Sequence, residues 1–271
     1  MKLMTKFSWV VVVVALVTGC KEDKFQPSSE ERCKIGRYIY GKQGGKDVGY
    51  EIRYKLNSFT QLDLITDQVL TGDTWAAQKI YKHIYRNDSL IIKDFFQFRE
   101  GATLYTALIT QKGTELITTE VKNFTSGAVY RYRFDNSKEK QLTVTLEKLE
   151  GDIATYDSRA VYYFDENGDV SRQEIFRSQA IHGGEPGFVA YQDKSFTYDF
   201  ITNPLKNLVI PHFKELVLPD VTFFSAHNRL TEKTADNTLT YTFVYGTDPM
   251  PSSVTTPDGT VQTFEYPNCT N

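Results

Sequence analysis

Two short stretches of this chain concentrate the residue types that chemistry uses. Asp165-Glu166-Asn167-Gly168-Asp169 is dense in carboxylates, and His182-Gly183-Gly184-Glu185-Pro186-Gly187 sets a histidine beside an acid. Calcium is the chemistry the first suggests. A loop of the EF-hand type needs glycine at its sixth position and a bidentate glutamate at its twelfth. Counted from Asp165, Gly168 is fourth and Phe176 is twelfth, so the pattern fails. The stretch reads instead as a hairpin turn, as does Asp258-Gly259, because Asn, Asp and Gly tolerate the φ values of tight turns. The second stretch is a glycine-rich loop of the kind that carries function on rigid scaffolds. His182 and Glu185 are its candidate ligand-contacting residues, against a plain flexible hairpin tip.

Neither stretch brings a nucleophile with it. The chain has no Gly-x-Ser-x-Gly and no phosphate-binding loop, so no catalytic residue is assigned. His83, His182, His212 and His227 lie far apart, with no zinc-like spacing to one another or to cysteine. No metal and no cofactor is expected, and His212 and His227 read as turn or packing residues. Trp75 is the one tryptophan beyond the first nineteen residues, and with seventeen tyrosines it offers aromatic platforms for a glycan. Tyrosine is equally the natural cross-strand residue of a sheet, so packing competes with that reading.

The N-terminus gives an address. Met1–Lys6 carries two lysines and no acid, and Phe7–Val17 is almost wholly apolar, which is the n-region and h-region of a secretory signal. The run is too short to span a bilayer, which takes about 20 residues. Val17-Thr18-Gly19-Cys20 resembles a bacterial lipobox, which implies cleavage before Cys20 and acylation of its sulfur and amine. Several acyl chains anchor firmly, at about 0.8 kcal/mol per buried methylene. Residues 1–19 are thus expected to leave as a signal peptide, residues 20–32 to form a lipidated cysteine and polar tether, and residues 33–271 to form one domain.

Loss of Lys2 and Lys6 with the signal leaves 29 basic residues against 34 acidic ones, a formal charge of −5. That balance gives no electrostatic case for nucleic acid. With Cys20 lipidated, Cys33 and Cys269 remain at the two ends of the fold. In an oxidising compartment they would bridge, the alternative being two free thiols.

The elements that must position these residues are strands. Tyr50–Thr66, Tyr81–Phe95, Leu104–Glu120, Tyr130–Lys148, Tyr162–Phe176 and Tyr241–Thr256 each alternate apolar and polar residues around a turn of Asp, Asn, Gly or Pro. In Tyr130-Arg131-Tyr132-Arg133-Phe134 the aromatics fall on one face and the arginines on the other. The fold expected is all-β: a large twisted antiparallel meander of hairpins, curled into a half-barrel or folded as a sandwich, with at most a short helix. Thr74–Arg86 is the candidate helix. Ile80 with Ile84 and Tyr81 with Tyr85 are helical pairs, and Asp73 would cap them, yet brief apolar runs do not separate helix from strand.

Tyr162–Val170 and Tyr241–Tyr266 resemble the tyrosine-aspartate hairpin repeats of Rhs-type proteins. The order of motifs is closer to Bacteroidota surface and outer-membrane lipoproteins of unknown function. Shared with those are a "TYD…NP" segment (Thr197-Tyr198-Asp199, then Asn203-Pro204), a Ser-x-x-Asn element (Ser225, Asn228) and a closing tyrosine hairpin. Lys21-Glu22-Asp23 resembles their lysine-plus-two-acids export tag. The resemblance implies lipid anchorage in the outer membrane and display outside the cell, and it hands over no active site. Gly246 stands where those repeats carry aspartate. Asp88-Ser89-Leu90 has the acid-hydroxyl-aliphatic form that Bacteroidota glycosylate, and an Asn-Asp turn accounts for it equally.

The functional expectation is a non-enzymatic binding module, held to the membrane by its lipid and recognising a glycan, a lipid or another envelope protein. A periplasm-facing carrier of an apolar ligand and a hydrolase of envelope polymers stand as alternatives.

Overall fold

A computed structural model describes residues 37–266, except 44–45, 57–61, 72–73, 87–89, 98–102, 113–114, 152, 180–186, 207–216 and 247–249. Among the described residues, seventeen strands make up one sheet. In chain order they are β1 (Arg37–Gln43), β2 (Lys46–Leu56), β3 (Leu62–Thr71), β4 (Thr74–Arg86), β5 (Leu90–Gln97), β6 (Thr103–Lys112), β7 (Glu115–Asn123), β8 (Val129–Asp135) and β9 (Gln141–Glu150). Then come β10 (Ile153–Phe164), β11 (Val170–Gln179), β12 (Gly187–Thr202), β13 (His227–Lys233), β14 (Thr238–Thr240), β15 (Thr242–Tyr245), β16 (Pro251–Thr255) and β17 (Val261–Glu265). One 3-10 turn, Val221–Phe223, interrupts the connection from β12 to β13, and there is no α-helix among the described residues.

The meander is antiparallel throughout and curls back on itself. β1 pairs with β2 on one side and with β17 on the other. The ladder therefore runs β15–β16–β17–β1–β2 and onward to β14. Its two ends, β14 and β15, are consecutive in the chain and separated by Tyr241 alone. Among the described residues β14 is paired to β13 and β15 to β16, so the sheet is curled without being hydrogen-bonded shut.

The alternation read from the sequence decides which face is inside. Tyr132 is fully buried and Phe134 nearly so, while Arg131 and Arg133 point outward, as expected for Tyr130–Phe134. Across β9 and β10 the inward row continues through Val144, Leu146, Ala160 and Tyr162, all essentially without solvent exposure. The outward row is charged. Arg131 stands opposite Glu120 on β7 and Glu147 on β9. Its Nε donates to Glu120 at 2.8 Å, and Arg133 Nε donates to Glu147 at 2.8 Å. On β11 and β12, Arg172 joins Glu174 and Asp193 at 2.7 and 2.8 Å. Arg159 lies over the rings of Phe176 and Phe188.

Two expected turns take the form their residues favour. Gly168 and Gly259 both have φ of 81°, a conformation that glycine adopts without a Cβ penalty. The Asp165 carboxylate accepts the N–H groups of Asn167 and Asp169, a local turn bond rather than an ion site. Thr74–Arg86 is a strand, β4. It pairs with β3 through Lys82 and with β5 from Lys79 to Arg86, so two flanking ladders override its helical pairs.

Alternation of strand direction gives the sheet two ends. At one, here the near end, β1 begins and β17 finishes, and the connections β10–β11 and β12–β13 lie there too. At the far end lie the turns β3–β4, β11–β12 and β16–β17. The β12–β13 connection is the longest, and its described parts turn into the interior: Val221, Phe223, Ser225 and Asn203 are all buried. Tyr162 Oη donates to the Pro219 carbonyl at 2.6 Å, and Tyr132 Oη to the Val217 carbonyl at 3.2 Å. Phe224 meets the Tyr162 ring edge-on at 5.0 Å. The curled sheet thus surrounds an inserted segment.

Candidate functional site

A cavity of about 990 Å³ lies between the inserted segment and the inner face of β11–β17. Asn203–Leu205 and Val217–Phe223 wall it from the near end, and Thr256–Thr260 of the β16–β17 turn reach it at the far end. Ile52, Ile175, Leu239, Phe243, Val254 and Phe264 supply apolar surface from the inner faces of their strands.

Set into this wall is a row of charges. Lys194 Nζ lies 2.7 Å from Glu232 Oε1. Glu232 Oε2 accepts from Arg229 Nη1 at 3.1 Å, and the same nitrogen donates to Asp220 Oδ2 at 3.2 Å. Arg229 Nη2 donates to Tyr241 Oη at 3.0 Å, and the guanidinium lies 4.4 Å from that ring's centre. Two cations and two acids leave the row formally neutral. Register explains its assembly: Lys194 and Phe196 alternate inward on β12, and Phe196 faces Glu232 on β13.

Surroundings tune these groups. Burial raises the Asp220 carboxyl, but the Arg229 charge and hydrogen bonds from Thr222 outweigh it, holding the pKa below the ordinary aspartate range. Burial lowers Arg229, and the charges of Asp220, Tyr241 and Glu232 more than reverse that. Burial pushes the Tyr241 phenol up. Lys194, Glu232 and Arg229 are largely covered, whereas the Asp220 side chain keeps 48% of its surface exposed. Asp220 lines the cavity, so that exposed carboxylate is open to a ligand entering it.

At the near end, three motifs singled out in the sequence lock together beneath the cavity. Asp169 accepts both the backbone N–H of His227 at 2.8 Å and its Nδ1 at 2.7 Å. Asp199 accepts from the Asn228 backbone at 3.1 Å and from its Nδ2 at 3.2 Å, and it also bonds the Tyr245 hydroxyl. Asn203 Nδ2 donates to the carbonyls of Thr222 and Ser225. Ser225 Oγ lies 2.9 Å from Tyr198 Oη and 3.0 Å from the Val221 carbonyl, and it accepts the Val170 N–H. The Ser225 hydroxyl is fully committed to these partners and fully buried, so this knot holds the inserted segment and presents no nucleophile.

The expected site residues fall into separate places. Trp75 belongs to β4 and pairs with Leu70 near the far end. His182 and Glu185 lie outside the described residues; the strands they connect, β11 and β12, meet at the far end. Cys20, Lys21, Glu22, Asp23, Cys33 and Cys269 lie outside the described residues, as do Asp73, Asp88, Ser89 and His212. The charged row itself was missed in the sequence, because Lys194, Asp220, Arg229, Glu232 and Tyr241 come together only through register and the inserted segment.

No protein-family model and no curated protein matches the chain. Among solved structures, a porin-like protein from Bacteroides uniformis superposes with a TM-score of 0.55 at 11% identity, over 86% of this chain and 96% of that one. A porin-like protein from Bacteroides vulgatus gives 0.47 at 10% identity, over 86% of this chain and 98% of that one. A protein of unknown function from Bacteroides fragilis gives 0.28 at 10% identity, over 52% and 88%. The first of these likenesses is one of fold: the chain is a curled antiparallel meander of the kind that porin-like protein adopts.

Proposed function

We propose that this chain is an outer-membrane lipoprotein, anchored through Cys20, whose curled sheet stands in water and binds a small ligand internally without turning it over. The porin-like Bacteroides neighbours support an envelope address, and the lipobox supports the anchor. The observation that carries the reading is the polarity of the sheet. A barrel crossing a bilayer turns an apolar band outward and keeps its lumen polar. The row across β7–β11 is the reverse, with Tyr132, Val144 and Tyr162 inside, and with Glu120 paired to Arg131 and Arg172 to Glu174 on the outer face, where Arg131 and Arg133 cover the buried Glu147. Each arginine facing lipid at the midplane would cost about 2–4 kcal/mol. A water-facing exterior removes that cost and leaves the interior for packing and binding.

The unlipidated mature chain, made as Cys20→Ser, tests this. It is expected to remain monomeric without detergent and to give no conductance steps in planar bilayers. Aggregation relieved only by detergent, together with channel activity, would overturn the reading.

A further inference from the structure

We infer that the cavity beside Asp220 takes an uncharged amphiphile, with a hydroxyl-bearing head on that carboxylate and an apolar body along Leu239, Phe243 and Phe264. The inference deepens the reading of the chain as a water-facing binding module and rests on it.

The head group follows from the charges already present. Lys194 is matched by Glu232, and Arg229 by Asp220 and Glu232. An anionic head could engage Arg229 only by displacing one of its acids, which leaves a largely buried charge without its partner. A cationic head on Asp220 would lie beside the like charge of the Arg229 guanidinium, which Asp220 already pairs with at 3.2 Å. A hydroxyl needs no exchange. Asp220 accepts the Thr222 N–H on Oδ1, an Arg229 nitrogen on Oδ2 and the Thr222 hydroxyl besides. Carboxylate oxygens accept about four in all, so a lone pair remains on the exposed side of Asp220 for a hydroxyl donor.

The body follows from the walls. The space is at the upper end of the roughly 300–1,000 Å³ range of small-molecule sites, too large for a simple polyol to fill. Leu239, Phe243 and Phe264 line it alongside the polar row, so a ligand that satisfies Asp220 still has apolar surface to cover.

Calorimetric titration of the full mature chain carrying Cys20→Ser, with four probes, tests the assignment. The probes are octyl β-glucoside below its micellar concentration, octanoate, octyltrimethylammonium and free glucose. Octyl glucoside is expected to bind saturably and more tightly than the other three. Asp220→Asn, which keeps an oxygen for Thr222, should weaken it about tenfold, the size expected for a charge-assisted hydrogen bond. Leu239→Trp, which narrows the apolar part of the cavity and leaves the charged row intact, should also weaken binding about tenfold while the thermal midpoint stays near that of the parent. Equal or tighter binding of either charged probe, equal binding of glucose, no binding by any probe, or indifference to both variants each overturns the inference. Those failures leave a soluble, channel-free protein, whereas failure of the broader reading shows itself as detergent dependence and conductance.

Discussion

Arg37, the first residue of β1, stands directly opposite Glu265, the last residue of β17. The curled sheet thereby brings its two chain ends side by side at the near end. Cys33 lies four residues before Arg37 and Cys269 four residues after Glu265. Arms of that length each reach at most about 13–14 Å, enough for the two sulfurs to meet. We expect a Cys33–Cys269 disulfide in the exported protein. Alkylation of the denatured, unreduced chain should modify neither thiol, and reduction should release both. Replacing the pair by serine should cost on the order of 5 kcal/mol, as the chain-entropy model gives for so long a loop. Two thiols that react before reduction would sink the expectation.

The knot at the near end gives a second prediction. Asn228 is 2% exposed and donates to both the Asp199 carboxylate and the Ile201 carbonyl. Asn228→Ala would strand a carboxylate and a carbonyl where water has little access. We expect a loss of about 2–3 kcal/mol in urea unfolding, the range for removing a bond to a charged group and leaving its partner unsatisfied. Asn228→Asp should be worse, because it sets a second carboxylate against Asp199. A variant as stable as the parent would show that the knot does not hold the inserted segment.

Much of the knot was legible in the sequence as motifs, though its geometry was not. Thr197-Tyr198-Asp199 with Asn203, the Ser225–Asn228 element, and the acidic turn ending at Asp169 each stood out as turn chemistry. That they bond one another depends on β11, β12 and β13 being neighbours, which a meander of hairpins implies but no spacing states. Alternation placed Tyr132 and Arg131 on opposite faces because a strand has a period of two. The same rule was ambiguous at Thr74–Arg86, where isoleucines and tyrosines also fit a helix and the flanking ladders decide. The cavity was invisible for a further reason: Asp220 reaches it from a connection rather than a strand, and no periodicity governs connections.

Alkaline pH should expose the buried phenols. Burial raises the pKa of Tyr162 and Tyr266, and of Tyr198 despite hydrogen bonding from Ser225. A group whose folded pKa lies above its unfolded one lends stability that is present below the unfolded value and lost as pH rises past it. For tyrosine that value is about 10. Urea midpoints should hold steady to about pH 10 and then fall. Tyr162→Phe should be about 1–3 kcal/mol less stable at neutral pH, since the Pro219 carbonyl loses its donor, and should fall less steeply in alkali. An unchanged alkaline slope would remove Tyr162 from that account.

Acid acts on Asp220 with the opposite sign. Its folded pKa lies below the ordinary range, so its contribution is present above the unfolded value, about 3.9, and is lost as pH falls through the folded one. Asp193, held down by Arg172, adds to the same slope from the exposed outer face. Midpoints measured between pH 6 and pH 2.5 should stay level to about pH 4 and then decline. In Asp220→Asn the decline should be shallower, with a lower plateau. Parallel curves would mean that Arg229 draws nothing from Asp220.

The orientation of the molecule at the membrane is open to direct test. Cys20 stands seventeen residues before Arg37, and β1 begins at the near end, so the chain from a lipidated Cys20 would join the fold there. The β16–β17 turn, whose Thr256, Pro257, Asp258 and Thr260 line the cavity, lies at the opposite, far end. An epitope after Asn271, protease treatment of intact cells, and a parallel strain with Lys21, Glu22 and Asp23 replaced by alanine distinguish the two compartments. We expect the parent chain to be shaved from whole cells and the variant to be protected, which would make Lys21-Glu22-Asp23 an export tag. Protection of both would turn the far end toward the periplasm, where the same cavity serves a carrier of amphiphiles within the envelope rather than a surface receptor.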